Sequence, residues 1–229
     1  VAIYSGRMVS RSQPAPVSQN PMLVTAFEPF GGERVNPSAA ALHALRGRSV
    51  AGHPLVTSVL PVSFAASLPK LRRLVLRHRP CLVLCLGQAG GRANLSIERI
   101  AVNVQDARIP DNTAAQPIDE PVEPGGPAAY FSTLPIKAMH AALRDHGLPG
   151  EVSNTAGTFV CNHVLYGLMH HLAREGVAGM RGGFVHVPWL PGQGTPHLAL
   201  RDMVRGLHAA LWAAVLARQD IVLGAGATH

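Results

Sequence analysis

The feature that most constrains the fold is an alternation of short apolar runs with longer amphipathic segments along most of the chain. The runs MLVTAF (22–27) and CLVLCLG (81–87) are apolar almost throughout, as strands buried on both sides of a sheet are. Segments 68–78 and 198–218 instead carry apolar residues at helical spacing. A further helix is predicted over residues 38–47, with Ser38 as its cap after Pro37. This alternation predicts an α/β fold with a largely parallel central sheet and helices on both faces.

Length and composition indicate one globular domain. Of the 229 residues, 47% are hydrophobic and 14% are charged, which is far from the composition of a disordered chain. We expect residues 21–229 to form a single α/β domain. The polar residues 1–20, which include Pro14 and Pro16, are expected to be a flexible leader, either native or left by cloning.

The cysteine content and the hydropathy pattern predict a cytoplasmic protein. The three cysteines cannot all pair and are too few for a disulfide scaffold. No apolar run reaches the length of a membrane span, about 18 residues. The N-terminal residues also lack the compact apolar core of a secretion signal. The sequence therefore predicts a protein of the reducing cytoplasm that has no membrane partner.

The formal net charge of +7 comes mostly from arginine, since Lys70 and Lys137 are the only lysines among the 20 basic residues. Arginine is well suited to phosphate contacts, so a nucleic-acid-binding protein is one alternative. The only dense arginine group, residues 72–79, lies on an amphipathic helical segment without interleaved aromatic residues. We interpret this group as a solvated helix face, and no nucleic-acid partner is expected.

Four stretches lie at the ends of predicted strands or at the start of a predicted helix. Because ligands bind at the carboxyl ends of strands in parallel sheets, we expect these stretches to line one cleft. They are EPFGG (28–32), GQAGGR (87–92), TFVCN (158–162) and FVHVP (184–188). A nucleotide-phosphate loop is an alternative interpretation of GQAGGR. That stretch matches neither GxGxxG nor GxxxxGK[ST], so a nucleotide-binding enzyme is disfavoured.

Cys161 is the candidate nucleophile. It lies where small polar residues give way to an amphipathic helix, so its thiol is expected at a helix N-terminus. There the helix dipole and the free N–H groups favour a thiolate and can hold an oxyanion. Cys81 and Cys85 lie in an apolar run and are interpreted as small core residues.

A thiol nucleophile needs a base, and His186 is the candidate because it lies near the end of a predicted strand, at the same sheet edge as Cys161. A satisfied core histidine is the alternative. Glu98 is favoured as the carboxylate that orients the imidazole, since it has a moderately apolar setting. Asp106 and Asp111 flank Arg108 and are alternatively its salt-bridge partners.

A metal site is the weakest of the alternatives. His163 and His171 lie eight residues apart on one predicted helix, but no acidic or histidine partner at ligand spacing accompanies them. We therefore expect no metal.

Four ordered segments of the chain resemble the pyroglutamyl peptidase I family of cysteine peptidases, also called pyrrolidone-carboxylate peptidases. They are TAFEPFGGERVNPS, LGQAGGRANLSIERIAVNVQDARIPDN, SNTAGTFVCNHVLYGLM and GGFVHVPWLP. The resemblance runs from about residue 22 to the last predicted helix. Long, spaced motifs of this kind are far more specific than a single glycine loop.

The resemblance implies a three-layer α/β/α sandwich with a mostly parallel, mixed sheet, and a homotetramer in the cytoplasm without metal or cofactor. It places a catalytic triad on Glu98, Cys161 and His186. Its substrate pocket carries over to seven positions: Phe27, Phe30, Asn36, Gln88, Arg108, Ile109 and Val160. The chain departs from the family at Ala26, where glycine is usual, and in its leader.

The implied substrate agrees with the chemistry of such a pocket. Pyroglutamate is a flat neutral lactam with one N–H donor, one carbonyl acceptor and no free amine. Phenylalanine rings can cover such a ring on both faces while an amide side chain or backbone groups satisfy its polar atoms. A site built around those hydrogen bonds rejects proline, which lacks the lactam carbonyl.

Overall fold

The computed structural model describes residues 20–175 and 179–226, and within them the chain forms nine strands and five helices. Apart from Asn20, the leader expected over residues 1–20 lies outside this description. The strands are β1 (Met22–Phe27), β2 (Ser49–Val50), β3 (His53–Leu60), β4 (Leu82–Gln88), β5 (Leu95–Glu98), β6 (Ile100–Val102), β7 (Ala129–Phe131), β8 (Gly150–Ser153) and β9 (Arg181–Val187). The helices are α1 (Pro37–Leu45), α2 (Ser67–His78), α3 (Ile136–Asp145), α4 (Val160–Glu175) and α5 (Leu200–Leu216).

Seven of these strands form the central sheet, in the order β2-β3-β1-β4-β9-β5-β8. The four strands at its centre, β3, β1, β4 and β9, are mutually parallel. Strand β5 runs antiparallel to β9 and parallel to β8, and β2 runs antiparallel to β3. The predicted mostly parallel, mixed sheet is therefore confirmed.

Apolar side chains cover the sheet on both faces, as strands buried on both sides require. On one face the sheet packs against α1, α3 and α5, through residues such as Leu42, Met139 and Leu207. On the other face it packs against α2 and α4, through residues such as Leu71 and Val164. The predicted α/β/α layering follows directly from these two clusters.

The cap of α1 differs from the prediction that the sequence favours. Ser38, expected to cap the helix, is inside its first turn. Asn36 is the N-cap, and its side-chain oxygen accepts hydrogen bonds from the Ser38 N–H at 2.9 Å and from the Ser38 hydroxyl at 2.7 Å. Pro37 occupies the first helical position, where its missing N–H costs nothing, so the cap is Asn36, two residues before Ser38.

The proline-rich stretch 113–135 is anchored to the domain at several points. Its strand β7 pairs with β6 in a separate two-stranded sheet. The Tyr166 hydroxyl of α4 donates to the Pro127 carbonyl at 2.7 Å, and the Asn103 amide donates to the Glu123 carbonyl at 2.9 Å. This long irregular segment is thus held to β6 and the residue after it by backbone pairing and the Asn103 amide, and to α4 by the Tyr166 hydroxyl.

Across the described ranges, none of the helices combines the length and apolar character that crossing a bilayer needs.

Candidate active site

The site is built around a buried carboxylate and imidazole on neighbouring strands. Glu98 ends β5 and His186 lies near the end of β9, and the antiparallel pairing places Ser96 opposite His186. Nδ1 of His186 lies 2.7 Å from Oε1 of Glu98. Glu98 is 0% exposed and His186 is 4% exposed, so little water competes for this hydrogen bond. The pair can fix the imidazole in one orientation and stabilise its charged form.

Cys161 approaches the same place from the helix above the sheet. It is the second residue of α4 and remains partly exposed. A side chain added at Gly87 would put its Cβ only 2.8 Å from Sγ of Cys161, so the thiol lies directly against this strand position. Gly87 is the residue of β4 that pairs with His186 of β9, and paired strands lie about 4.8 Å apart. Glycine is needed here because of this close approach.

The surroundings of Cys161 favour the neutral thiol. Burial, and after it the charge of Glu98, raise the pKa of Cys161 to about 12, and the charge of Arg92 opposes them. Burial thus acts against the thiolate that a helix N-terminus favours. Within the described residues no hydrogen bond joins Sγ to the imidazole. A nucleophile in this state needs a base that removes its proton during attack.

Arg92 is a site residue that the sequence reasoning missed. Its guanidinium donates to Oε1 of Glu98 at 2.8 Å, the same oxygen that His186 contacts. It also donates to the Thr155 carbonyl at 3.1 Å and contacts the Ser153 hydroxyl at 3.4 Å. The available signal was its position, one arginine at the end of the glycine-rich loop GQAGGR that follows β4.

Asn162, next to Cys161, is a second residue that the sequence reasoning missed. It is fully buried, and its side chain accepts from the Val102 N–H at 3.0 Å and donates to the carbonyls of Val102 and Val104 at 2.9 and 3.0 Å. The amide thus pairs with the backbone of β6 as a strand would. It fixes the start of α4, and with it the position of the thiol.

Aromatic side chains collect on the face of the sheet that carries Cys161. Phe27 is buried and its ring centroid lies 6.3 Å from that of Phe184, which in turn lies 4.7 Å from the ring of His186. Phe30 lies 6.0 Å from Phe159, which precedes α4. Phe27 and Phe30, two of the predicted pocket residues, therefore belong to the same apolar cluster as the thiol.

The other predicted pocket residues are arranged less uniformly. Val160 is buried beside Cys161, and Ile109 reaches the loop of Gly31, where an added Cβ would lie 4.0 Å from its Cδ1. Arg108 is exposed, with no hydrogen bond to another described residue. Val160 thus begins α4 within the aromatic cluster, whereas Arg108 and Ile109 lie on a loop after β6.

Two predicted pocket residues have their amides engaged within the protein. Asn36 accepts from Ser38 and donates to the Glu28 carbonyl at 3.0 Å. Gln88 donates to Oε1 of Glu33 at 2.8 Å. Gln88 alternates with Gly87 along β4, so its side chain leaves the sheet on the face opposite Cys161. Both side chains therefore bond to the loop between β1 and α1.

Asp111, an alternative carboxylate in the sequence, has a different role. Burial alone would raise its pKa, but hydrogen bonds from the N–H groups of Phe64, Thr113 and Ala115 and from the Thr113 hydroxyl lower it overall. Asp111 therefore joins its own loop to the loop after β3. It does not contact His186, which leaves Glu98 as the carboxylate of the site.

A second cysteine and histidine pair lies at the other end of β4. Sγ of Cys81 is 3.4 Å from Nδ1 of His53, beside a cavity of about 460 Å³. Nδ1 of His53 also lies 2.7 Å from the Asn20 carbonyl, an acceptor only, so this nitrogen carries the proton and cannot serve as a base for the thiol. No carboxylate bonds to His53 in the described ranges. This pair lacks the features that make Cys161 and His186 a candidate site.

Metal ligation is not indicated by the arrangement of side chains. In the part of the chain that the structure describes, no three His, Cys, Asp or Glu side chains gather as a metal site would require. His163 is instead buried with neither ring nitrogen hydrogen-bonded to a described residue.

Comparison with known sequences places these features in a family. The model of the family described as pyroglutamyl peptidase matches residues 20–217. The chain is 53% identical over 213 residues to a pyrrolidone-carboxylate peptidase of Erwinia tasmaniensis, covering 91% of this chain and 99% of the relative. It is 55% identical over 214 residues to one of Streptomyces coelicolor, with the same two coverages.

Solved structures agree with the sequence comparison. Pyroglutamyl peptidase I from Bacillus amyloliquefaciens is similar with a TM-score of 0.87 and 42% identity, covering 90% of this chain and 100% of the other. The pyrrolidone carboxyl peptidase from Thermococcus litoralis is similar with a TM-score of 0.85 and 36% identity, covering 90% and 99%. The likeness therefore extends over the whole domain, the candidate site included.

Proposed function

The chain belongs to the pyroglutamyl peptidase family, and from this premise we infer that it hydrolyses the amide bond after an N-terminal pyroglutamyl residue of a peptide. The observation that carries the inference is the buried hydrogen bond of 2.7 Å between His186 and Glu98, close to the thiol of Cys161. This is the arrangement that a cysteine peptidase needs, with a nucleophile, a base and a group that orients the base.

Cys161, His186 and Glu98 take the three catalytic roles. Sγ of Cys161 attacks the pyroglutamyl carbonyl carbon while its proton passes to Nε2 of His186. The tetrahedral intermediate collapses as its C–N bond breaks, and the imidazolium protonates the departing amine. Water then gives a proton to His186 and attacks the thioester, which releases pyroglutamate and restores the thiol. The transfer of a proton at the moment of attack suits a thiol whose pKa is raised to about 12.

Glu98 acts through the imidazole. By accepting from Nδ1–H it leaves Nε2 free for the thiol, and its negative charge stabilises the imidazolium that each half-reaction forms. N–H groups in the first turn of α4, which lack partners within the helix, are placed to stabilise the oxyanion. A single donor of this kind is worth about 3 kcal/mol in other acyl-transfer enzymes.

Phe27, Phe30 and Val160 form the apolar walls of the lactam pocket, and Ile109 adds to its rim. The ring of Phe27 packs with Phe184 and the ring of Phe30 packs with Phe159, in the cluster that contains the thiol. Asn36 and Gln88 support the pocket through their hydrogen bonds to the loop between β1 and α1, and Arg108 lies on a loop at the edge of the site. Apolar walls of this kind suit a substrate that has no N-terminal ammonium.

We place the protein in the cytoplasm as a homotetramer without cofactor. Cys81, Cys85 and Cys161 are all free thiols, as a reducing compartment maintains them. Phe131 and Trp212 expose 66% and 46% of their surface, which is apolar area that contacts between subunits can bury.

Hydrolysis of a fluorogenic pyroglutamyl amide, with the matching prolyl amide as a control substrate, tests the proposed function. The wild-type protein and C81A are expected to cleave the pyroglutamyl amide and leave the prolyl amide intact, while C161A cleaves neither. Equal cleavage of both amides would contradict the lactam pocket. Full activity of C161A would contradict the assignment of the nucleophile.

A further inference from the structure

We propose that Arg92 is a positioning residue that holds the Glu98 carboxylate in register with His186 and balances its charge beside Cys161. The proposal rests on the function proposed above. It adds a fourth side chain to the catalytic arrangement, one that acts through Glu98 and has no direct contact with the imidazole.

The contacts of Arg92 fix the orientation of the Glu98 carboxylate. Its guanidinium and Nδ1 of His186 both bond to Oε1 of Glu98, at 2.8 and 2.7 Å, whereas Oε2 is buried without a partner among the described residues. A carboxylate held by one oxygen could turn about its last bond. Two donors that converge on that oxygen from different directions keep Oε1, and not Oε2, facing the imidazole.

Arg92 is itself fixed by the loop after β8. It donates to the Thr155 carbonyl at 3.1 Å and contacts the Ser153 hydroxyl at 3.4 Å. The guanidinium therefore joins the loop that follows β4 to the end of β8 and to the last residue of β5. Only a planar fork with several donors reaches these acceptors at once, so lysine is an incomplete substitute.

The charge of Arg92 matters because Glu98 is wholly buried. A buried carboxylate is costly without an opposite charge close by, and the ion pair here is 2.8 Å long. Arg92 is 30% exposed in its side chain, so it supplies that charge from the edge of the site, where hydration of the guanidinium is partly kept.

Arg92 and Glu98 act on the thiol with opposite signs. The negative charge of Glu98 raises the pKa of Cys161 and the positive charge of Arg92 lowers it, in addition to the larger effect of burial. The titratable and charged groups that face this arrangement come from each surrounding element: Cys85 of β4, Glu98 of β5, Glu151 of β8, His186 of β9, Cys161 of α4 and Arg92 itself.

The test combines R92Q, R92K and E98Q with the control R205Q, which removes an arginine of a surface ion pair, 3.0 Å from Asp202. R92Q is expected to lower kcat for a pyroglutamyl amide by about 10- to 100-fold, the loss expected when a charge-assisted hydrogen bond is removed, with little change in KM. R92K is expected to recover part of this loss. R205Q is expected to match the wild type.

Alkylation of Cys161 by iodoacetamide separates an electrostatic role from a merely structural one. Between pH 7 and 10, R92Q is expected to slow alkylation at each pH, since the thiol pKa rises, whereas E98Q is expected to speed it. The double variant is expected to lie between the two. Thermal unfolding of each variant reports whether the fold is kept.

Unchanged kcat and an unchanged alkylation profile in R92Q would overturn the proposal. A fall in kcat with an unshifted profile and no recovery in R92K would also overturn it, since that pattern indicates structural damage. If the wild-type protein does not cleave the pyroglutamyl amide, the proposed function fails. The opposite shifts in alkylation then still decide whether Arg92 and Glu98 control Cys161.

Discussion

Nδ1 of His186 lies 2.7 Å from Oε1 of Glu98, although 88 residues separate them along the chain. The antiparallel pairing of β5 with β9 is what joins them, because it directs both side chains to the sheet face that carries Cys161. Both are almost fully buried, so the hydrogen bond forms in surroundings where charge interactions are strong. The rate of catalysis should depend on this contact more than substrate binding does.

E98Q is expected to lower kcat by about 100-fold or more while KM changes only a few-fold. The neutral amide of glutamine cannot stabilise the imidazolium as the Glu98 carboxylate does. Loss of the corresponding carboxylate in a serine peptidase triad lowers kcat strongly. Steady-state kinetics with a pyroglutamyl amide measures both constants. E120Q, which neutralises an exposed carboxylate, is the control. An unchanged kcat in E98Q would assign the orienting role to another residue.

G87A is expected to abolish most activity with a smaller effect on stability. The new Cβ would lie 2.8 Å from Sγ of Cys161 and 2.7 Å from Cζ of Phe184, so the thiol must move away from the position beside His186. A displacement of about 1 Å lowers the catalytic rate by about 100-fold in well-oriented active sites. Turnover and thermal unfolding are measured together.

G224A is the matched control for that substitution, because an added Cβ there meets no atom within 4 Å. Its activity should equal that of the wild type. If G87A turned over substrate at the wild-type rate, the thiol would not depend on the space that Gly87 leaves.

His163 is expected to make the protein less stable in mild acid. Its ring is 6% exposed and packs edge-on against Phe64 at 5.5 Å, and burial, helped by the charge of Arg72, lowers its pKa from 6.5 to about 4. The unfolded chain therefore binds a proton at this histidine below about pH 6.5, whereas the folded protein binds it only below about pH 4. The stability that His163 contributes is present above pH 6.5 and is lost as the pH falls toward 4.

Denaturant unfolding at pH 7.5 and pH 5 measures this effect. His163 should account for about 2 kcal/mol of the loss in unfolding free energy between the two values. H163L removes the titrating group, so its loss should be smaller by that amount, whereas H43L, at an exposed position of α1, should behave like the wild type. Equal losses in the wild type and H163L would show that His163 does not titrate in this way.

The fold was largely predictable because the buried strands are nearly continuous apolar runs. MLVTAF became β1 without change, and CLVLCLG became β4 with a shift of one residue. Local signals also placed α2 and α5. The predicted cap of α1 was wrong by two residues. Asn36 and Ser38 are both good capping residues, and Asn36 is the cap because Pro37 takes the first helical position.

The site was only partly predictable, because its contacts depend on strand register. The sequence singled out Glu98, Cys161 and His186 as chemical groups, but no local pattern reveals that Arg92 bonds to the same oxygen as His186. The close approach of Cys161 to Gly87 likewise depends on how α4 packs on β4. The burial that raises the pKa of Cys161 is likewise a property of the folded chain and has no local signal in the sequence.

The most direct test is to trap the covalent intermediate. The protein is mixed rapidly with a pyroglutamyl thioester or activated ester, quenched in acid within the first turnover, digested and analysed by mass spectrometry. We expect one pyroglutamyl acyl group on the peptide that contains Cys161, absent in C161A and long-lived in H186Q. An acyl group on a different residue, or turnover by C161A at the wild-type rate, would show that Cys161 is not the nucleophile.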